Sequence, residues 1–129
     1  MAYILIVDDD EDFAQAVATV MRALGHQTRI AASIEASRET LALRRPDLLI
    51  LDVMFPERRA EGLDLAQSLA DDEQFQGLTI LILSAVDPRG PLGFGAQHAP
   101  GALLPHADFL EKPVDLDVLI SKVQALLAR

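Results

Sequence analysis

Five short apolar runs punctuate this sequence: Tyr3 to Val7, His26 to Ala31, Leu48 to Leu51, Leu78 to Leu83, and Asp108 to Leu110. Runs of strand length that alternate with stretches of helical spacing are the pattern of βα units building a parallel sheet buried on both faces. Crossovers within one sheet are right-handed and helices must cover both faces, so few topologies remain. The expected fold is α/β, a doubly wound five-stranded parallel sheet. Its 129 residues suit one domain, 1–129, with no room for a separate output module.

The helices can be placed from spacing and stop signals. Phe13, Val17, Val20, Met21 and Leu24 form one apolar stripe, and Gly25 suits the left-handed residue that ends a helix. Ser33 can cap a second helix running to Arg44 and Arg45, where Pro46 forces extended geometry. A third is expected from Gly62 through Leu63, Leu65, Ala66 and Leu69. Asp115 can cap a last one carrying Leu116, Leu119, Ile120, Val123 and Leu127. Residues 87–105 hold Pro88, Gly90, Pro91, Gly93, Gly95, Pro100, Gly101 and Pro105, which interrupt any periodicity, so irregular structure is expected there.

Charge and composition narrow the function classes. A formal net charge of -9 repels phosphate backbones and anionic lipid, which argues against direct nucleic-acid binding. The absence of cysteine removes disulfides, thiolate catalysis and sulfur-based zinc sites, and fits a cytoplasmic location. The apolar start is too short for a signal peptide, and no stretch suits membrane insertion.

In doubly wound sheets ligands bind outside the carboxyl ends of the strands, so the residues ending each run matter most. The first run ends in Asp8-Asp9-Asp10, the third in Asp52, the fourth in Ser84, and the fifth in Glu111-Lys112-Pro113. Carboxylates gathered at one edge repel each other unless a cation compensates, and Mg2+ with oxygen ligands does this while keeping positions open for phosphate oxygens. A nearby lysine and serine can bind those same oxygens, so the set suits phosphoryl transfer. Taken singly, each residue has a plainer reading: Asp10, Glu11 and Asp12 as helix-capping acids, Ser84 as a turn residue, Lys112 as a surface cation. His26, His98 and His106 show no metal-site spacing and read as surface residues.

These residues resemble the receiver domain of two-component response regulators. Ile4-Leu5-Ile6-Val7-Asp8-Asp9-Asp10 looks like its acid-pocket motif, Pro46 through Pro56 its phosphoacceptor strand, and Phe109-Leu110-Glu111-Lys112-Pro113 its lysine-proline motif. The resemblance covers nearly the whole chain and implies a flavodoxin-like (βα)5 fold. It implies that Asp52 accepts a phosphoryl group from a sensor histidine kinase or phosphotransfer protein. Asp9, Asp52 and the Met54 carbonyl would ligate Mg2+, and Asp8 would act mainly through bound water. Lys112 would pair with the phosphoryl group, the Ser84 hydroxyl would swing toward it, and Ala85 could donate its N–H. Phe109 occupies the switch-aromatic position, with a plain core phenylalanine as the simpler reading. The phosphorylated state would alter binding to a downstream protein target, and the chain would catalyse its own phosphotransfer and dephosphorylation rather than act as an enzyme.

Two departures from the family pattern stand out. The loop before Gly62 is lengthened as Glu57-Arg58-Arg59-Ala60-Glu61, and the 87–105 stretch replaces a regular fourth helix. The second puts the usual read-out and dimer surface in question, and suggests a segment that orders on phosphorylation or meets an unusual partner. Two other readings stay open. One is a pseudo-receiver that binds partners without phosphorylation. The other is a phosphatase resembling the haloacid dehalogenase superfamily, with Asp8 as nucleophile, which leaves Asp52 unexplained.

Overall fold

A computed structural model of the chain describes residues 2–52, 59–84, 107–111 and 115–128. Its elements run β1 (Tyr3–Val7), α1 (Glu11–Ala23), β2 (Gln27–Ala31), α2 (Ile34–Leu43), β3 (Leu48–Asp52), α3 (Arg59–Asp71), a short 3-10 turn (Glu73–Phe75), β4 (Thr79–Ser84), β5 (Ala107–Glu111) and α4 (Leu116–Leu127). The five strands form one parallel sheet in the order β2-β1-β3-β4-β5. The expected doubly wound sheet is therefore present. Residues 87–105, with their expected irregular structure, lie outside the described residues.

Strand alternation divides the core in two. Leu5 and Val7 of β1, Leu49 and Leu51 of β3, and Ile80 and Ile82 of β4 pack with Leu41 of α2 and Leu65, Ala66 and Leu69 of α3. Their neighbours Ile4, Ile6, Leu48, Ile50, Leu81 and Leu83 pack on the other face with Ala14, Val17, Ala18 and Met21 of α1 and Leu119, Val123 and Leu126 of α4. Because both faces are covered, the central strands carry apolar residues at nearly every position rather than at alternate ones.

Local chemistry fixes most boundaries. The Asp10 carboxylate accepts the Phe13 N–H and starts α1, with Glu11 and Asp12 in its first turn. Ser33 caps α2 by accepting the Ala36 N–H, and Asp115 caps α4 by accepting the Asp117 N–H. Gly25, at φ 93°, follows α1 in the left-handed region, as its position in the sequence suggests. At the opposite edge of the sheet, Tyr3 donates its N–H to the Asp47 carboxylate at 2.8 Å and accepts the Asp47 N–H at 2.8 Å, lacing the starts of β1 and β3.

Several expectations need correction. Leu24 is 43% exposed, and the buried stripe of α1 is centred on Ala14, Val17, Ala18 and Met21. Small alanines let the helix approach the sheet closely, a packing that a search for large apolar residues overlooks. Helix α2 stops at Leu43, and Arg44 is already extended. Helix α3 begins at Arg59 rather than Gly62, so Arg59, Ala60 and Glu61 belong to helix and not to a long loop. All three are good helix formers, which Gly62 is not. His26 is half-buried, and its Nδ1 accepts the Ala2 N–H at 3.1 Å, so it fastens the start of β1 beside β2. Among the described residues no helix is long and apolar enough to cross a membrane.

Candidate functional site

The sheet reverses its winding between β1 and β3, since β2 lies on one side of β1 and β3 on the other. A crevice opens at the carboxyl edge of such a switch point. Val7 pairs with Leu51, so the residues that follow, Asp8 and Asp52, leave the two neighbouring strands side by side. Asp9 comes one residue later, in the turn leading to α1.

The outcome is a compact acidic cluster. One carboxylate oxygen from each of Asp8, Asp9 and Asp52 lies within 4.8 Å of the others. Burial is graded across the three: Asp8 is 3% exposed, Asp52 is half-buried, and Asp9 faces solvent. Asp8 is held firmly, because its Oδ1 accepts the Asp10 N–H at 2.8 Å and its own N–H donates to the Ala31 carbonyl at 3.1 Å. Oxygens on opposite sides of one six-coordinate Mg2+ stand about 4.2 Å apart, so this spread suits a small divalent cation after little movement. Three hard oxygen donors with no nitrogen or sulfur among them suit a hard cation of this kind. Cation binding would also relieve the repulsion among three like charges. The gradient from buried Asp8 to exposed Asp9 leaves one side of the cluster open for a ligand to approach.

The other expected site residues are placed less fully. Ser84 is the last residue of β4, next but one to Asp52 in the sheet because Asp52 pairs with Leu83, and its side chain lies outside the described residues. Met54, Ala85 and Lys112 also lie outside them, as do residues 57 and 58 of the loop. Phe109 is half-buried on β5, opposite Ile82, and packs against the core cluster shared with α2 and α3. Its neighbour Asp108 points to the other face, where its carboxylate meets the Lys122 ammonium of α4 at 2.7 Å.

Two groups that position the cluster were not singled out from the sequence: the Asp10 backbone N–H and the Ala31 carbonyl. The first was signalled by Asp8-x-Asp10, since an aspartate readily accepts a hydrogen bond from the backbone two residues on. The second depends on how β2 meets β1, for which local sequence holds no sign. Asp10 itself is committed to capping α1 and is not part of the cluster.

Comparison with known proteins agrees with this geometry. The chain is 33% identical to the response regulator MprA of Mycobacterium ulcerans and 30% identical to the DNA-binding dual master transcriptional regulator RpaA of Synechocystis, with 98% and 100% of this chain aligned. It spans about half the length of both, 50% in each case. Among solved structures it resembles a putative response regulator from Chloroflexus aurantiacus, with a TM-score of 0.79, 31% identity, and 99% and 98% of the two chains covered. The receiver domain of the Francisella response regulator 1452 is similar at a TM-score of 0.78 and 26% identity, covering 100% and 98%. With residues 4–124 matching the response regulator receiver domain, and acidic residues gathered at the switch point of a five-stranded parallel sheet, the chain belongs to the receiver domain family of two-component systems.

Proposed function

We propose that residues 1–129 act as one receiver unit in which Asp52 is a phosphoacceptor. The observation that carries this reading is the gathering of the Asp8, Asp9 and Asp52 oxygens within 4.8 Å at the carboxyl edge of the sheet. An Asp52 oxygen attacks the phosphorus of the donor, the bond from phosphorus to the donor's nitrogen or oxygen breaks, and the leaving group departs with that electron pair. The product is an aspartyl phosphate. The donor is a phosphohistidine on a sensor histidine kinase or phosphotransfer protein, or a small acyl phosphate.

Two anions must meet for this to happen, so the work is positioning and charge screening. Mg2+, when bound, would supply positive charge to screen the phosphoryl oxygens. Asp9, Asp52 and the Met54 carbonyl would hold it, with Asp8 acting through bound water. Lys112 screens the charge on the phosphoryl group, while the Ser84 hydroxyl and the Ala85 N–H hydrogen-bond its oxygens. Phe109 turns further into the core as Ser84 moves, which changes the surface offered to a downstream protein target. The family membership and the matching sequence positions support these roles. The chain does this chemistry on itself in the cytoplasm, binds no nucleic acid directly, and inserts in no membrane.

Intact-protein mass after incubation with acetyl phosphate, with and without Mg2+, tests the reading. One phosphoryl group should appear on the wild type with Mg2+, and none without the ion or in Asp52→Asn. Failure to accept phosphate from acetyl phosphate or from any histidine kinase, together with no Mg2+ binding, would leave a phosphorylation-independent interaction module. Hydrolysis of phosphate esters that survives Asp52→Asn but is lost in Asp8→Asn would point to a phosphatase.

A further inference from the structure

At the opposite edge of the sheet from the acidic cluster, an open cavity of about 260 Å3 lies between α2 and the starts of β1 and β2. Tyr3, Gln27 and Arg29 lie on the sheet face that looks toward α2, and Thr40, Leu43 and Arg44 line the cavity from the helix and its end. Thr28 borders it as well, though strand alternation assigns its side chain to the other face.

The charge at this cavity runs against that of the molecule. In a chain with 20 acidic and 11 basic residues, the described residues that line the cavity include two arginines and no acid. Among the described residues neither Arg29 nor Arg44 has a carboxylate partner. Arg44 is also pre-set: its guanidinium carbon stands 4.1 Å from the centre of the buried Tyr3 ring. Stacking of that kind holds the plane while leaving the N–H groups at its edge free to form paired bonds to a carboxylate or phosphate. Arg44 follows the carboxyl end of α2, where a cation is favoured, but the helix end needs no second arginine at position 29. Leu43 is 79% exposed at the rim, an apolar surface that water solvates poorly.

From these observations we infer that the cavity between α2 and the starts of β1 and β2 binds a compact organic carboxylate, held by the Arg44 fork and the Arg29 guanidinium. Its volume is below the roughly 300–1,000 Å3 usual for ligand clefts, which selects a small ligand. Leu43 at the rim offers apolar contact to a ligand's carbon body, which inorganic phosphate lacks. This site is separate from the acidic cluster and does not depend on the role of Asp52.

Amide chemical shifts of the full chain, titrated with succinate at ionic strength held constant by sodium chloride, test the inference. Saturable shifts are expected at Tyr3, Gln27, Arg29, Leu43 and Arg44, with inorganic phosphate binding more weakly. Arg44→Gln and Arg29→Gln should each weaken succinate binding about fivefold or more, equivalent to about 1 kcal/mol. Arg44→Lys, which keeps the charge but not the fork, should fall between wild type and Arg44→Gln. Unchanged spectral dispersion in the variants would confirm their folding. No saturable shift at about 20 mM succinate, a limit that corresponds to binding of only about 2 kcal/mol, would overturn the inference. So would affinity that is unaltered in both glutamine variants, or phosphate binding as tightly as succinate.

Discussion

Asp8 and Asp9 are adjacent in sequence yet differ in almost everything that governs a carboxylate: one is nearly buried and anchored by the Asp10 N–H, the other meets solvent. Their substitutions should differ accordingly. Asp9→Asn is expected to weaken Mg2+ binding by about tenfold or more, equivalent to about 1.4 kcal/mol, with a modest gain in stability without the metal because one of three clustered like charges is removed, as a calorimetric titration and a urea melt would show. Asp8→Ala should weaken Mg2+ binding as well, but without that gain in stability, since the relief of repulsion is offset by freeing the Asp10 amide. These carboxylates and Asp52 could be recognised in the sequence because a charge that ends an apolar strand has few other reasons to be there. Thr28 is the opposite case. Its hydroxyl is buried with no hydrogen-bond partner among the described residues, and nothing in the surrounding sequence signals it. Replacing a stranded hydroxyl by a methyl group of the same shape removes a desolvation cost, so Thr28→Val should raise stability by about 1 kcal/mol in urea. A loss of stability would mean that the hydroxyl has a partner in solution.

The elements were legible wherever a local chemical signal marks them: Asp10, Ser33 and Asp115 as caps, and Gly25 as a stop. The faces were less so. Helix α1 buries Ala14 and Ala18, while the C-cap Leu24 stays 43% exposed, because what matters is how closely the backbone approaches the sheet and not how apolar a residue is. That distinction can be measured. Ala18→Leu should cost about 1–3 kcal/mol by overpacking, whereas Leu24→Gln should stay within about 0.5 kcal/mol. The reverse order would restore the stripe suggested by the spacing of large residues. The start of α3 was misplaced for a related reason: Gly62 looks like a boundary, but a single glycine within a helix costs only about 1 kcal/mol, which packing of Leu65, Ala66 and Leu69 readily offsets.

For the molecule as a whole, the sheet keeps two charge environments apart. Three acids gather at the carboxyl edge of the strands, whereas at the amino edge Arg29 and Arg44 have no carboxylate partner among the described residues and Asp47 is bonded to the Tyr3 N–H. In a chain of net charge -9, partners that approach the acidic edge should be steered by positive surface, with association slowing as salt rises. A divalent cation that binds the folded chain and not the unfolded one adds about 2.7 kcal/mol at a hundredfold excess over its dissociation constant, so Tm should rise with Mg2+ and fall back with EDTA. The pairing of β1 with β3 also bears on folding kinetics. Ile4 meets Leu48 and Val7 meets Leu51 across the whole of α1, β2 and α2, so the cluster exists only after a contact between distant parts of the chain has closed. Three like charges brought together by that closure oppose it, and the ion can help only once they have met. Mg2+ should therefore slow unfolding several-fold in stopped-flow experiments and leave the refolding rate nearly unchanged. The metal, on this view, acts as a latch on a sheet that has already formed.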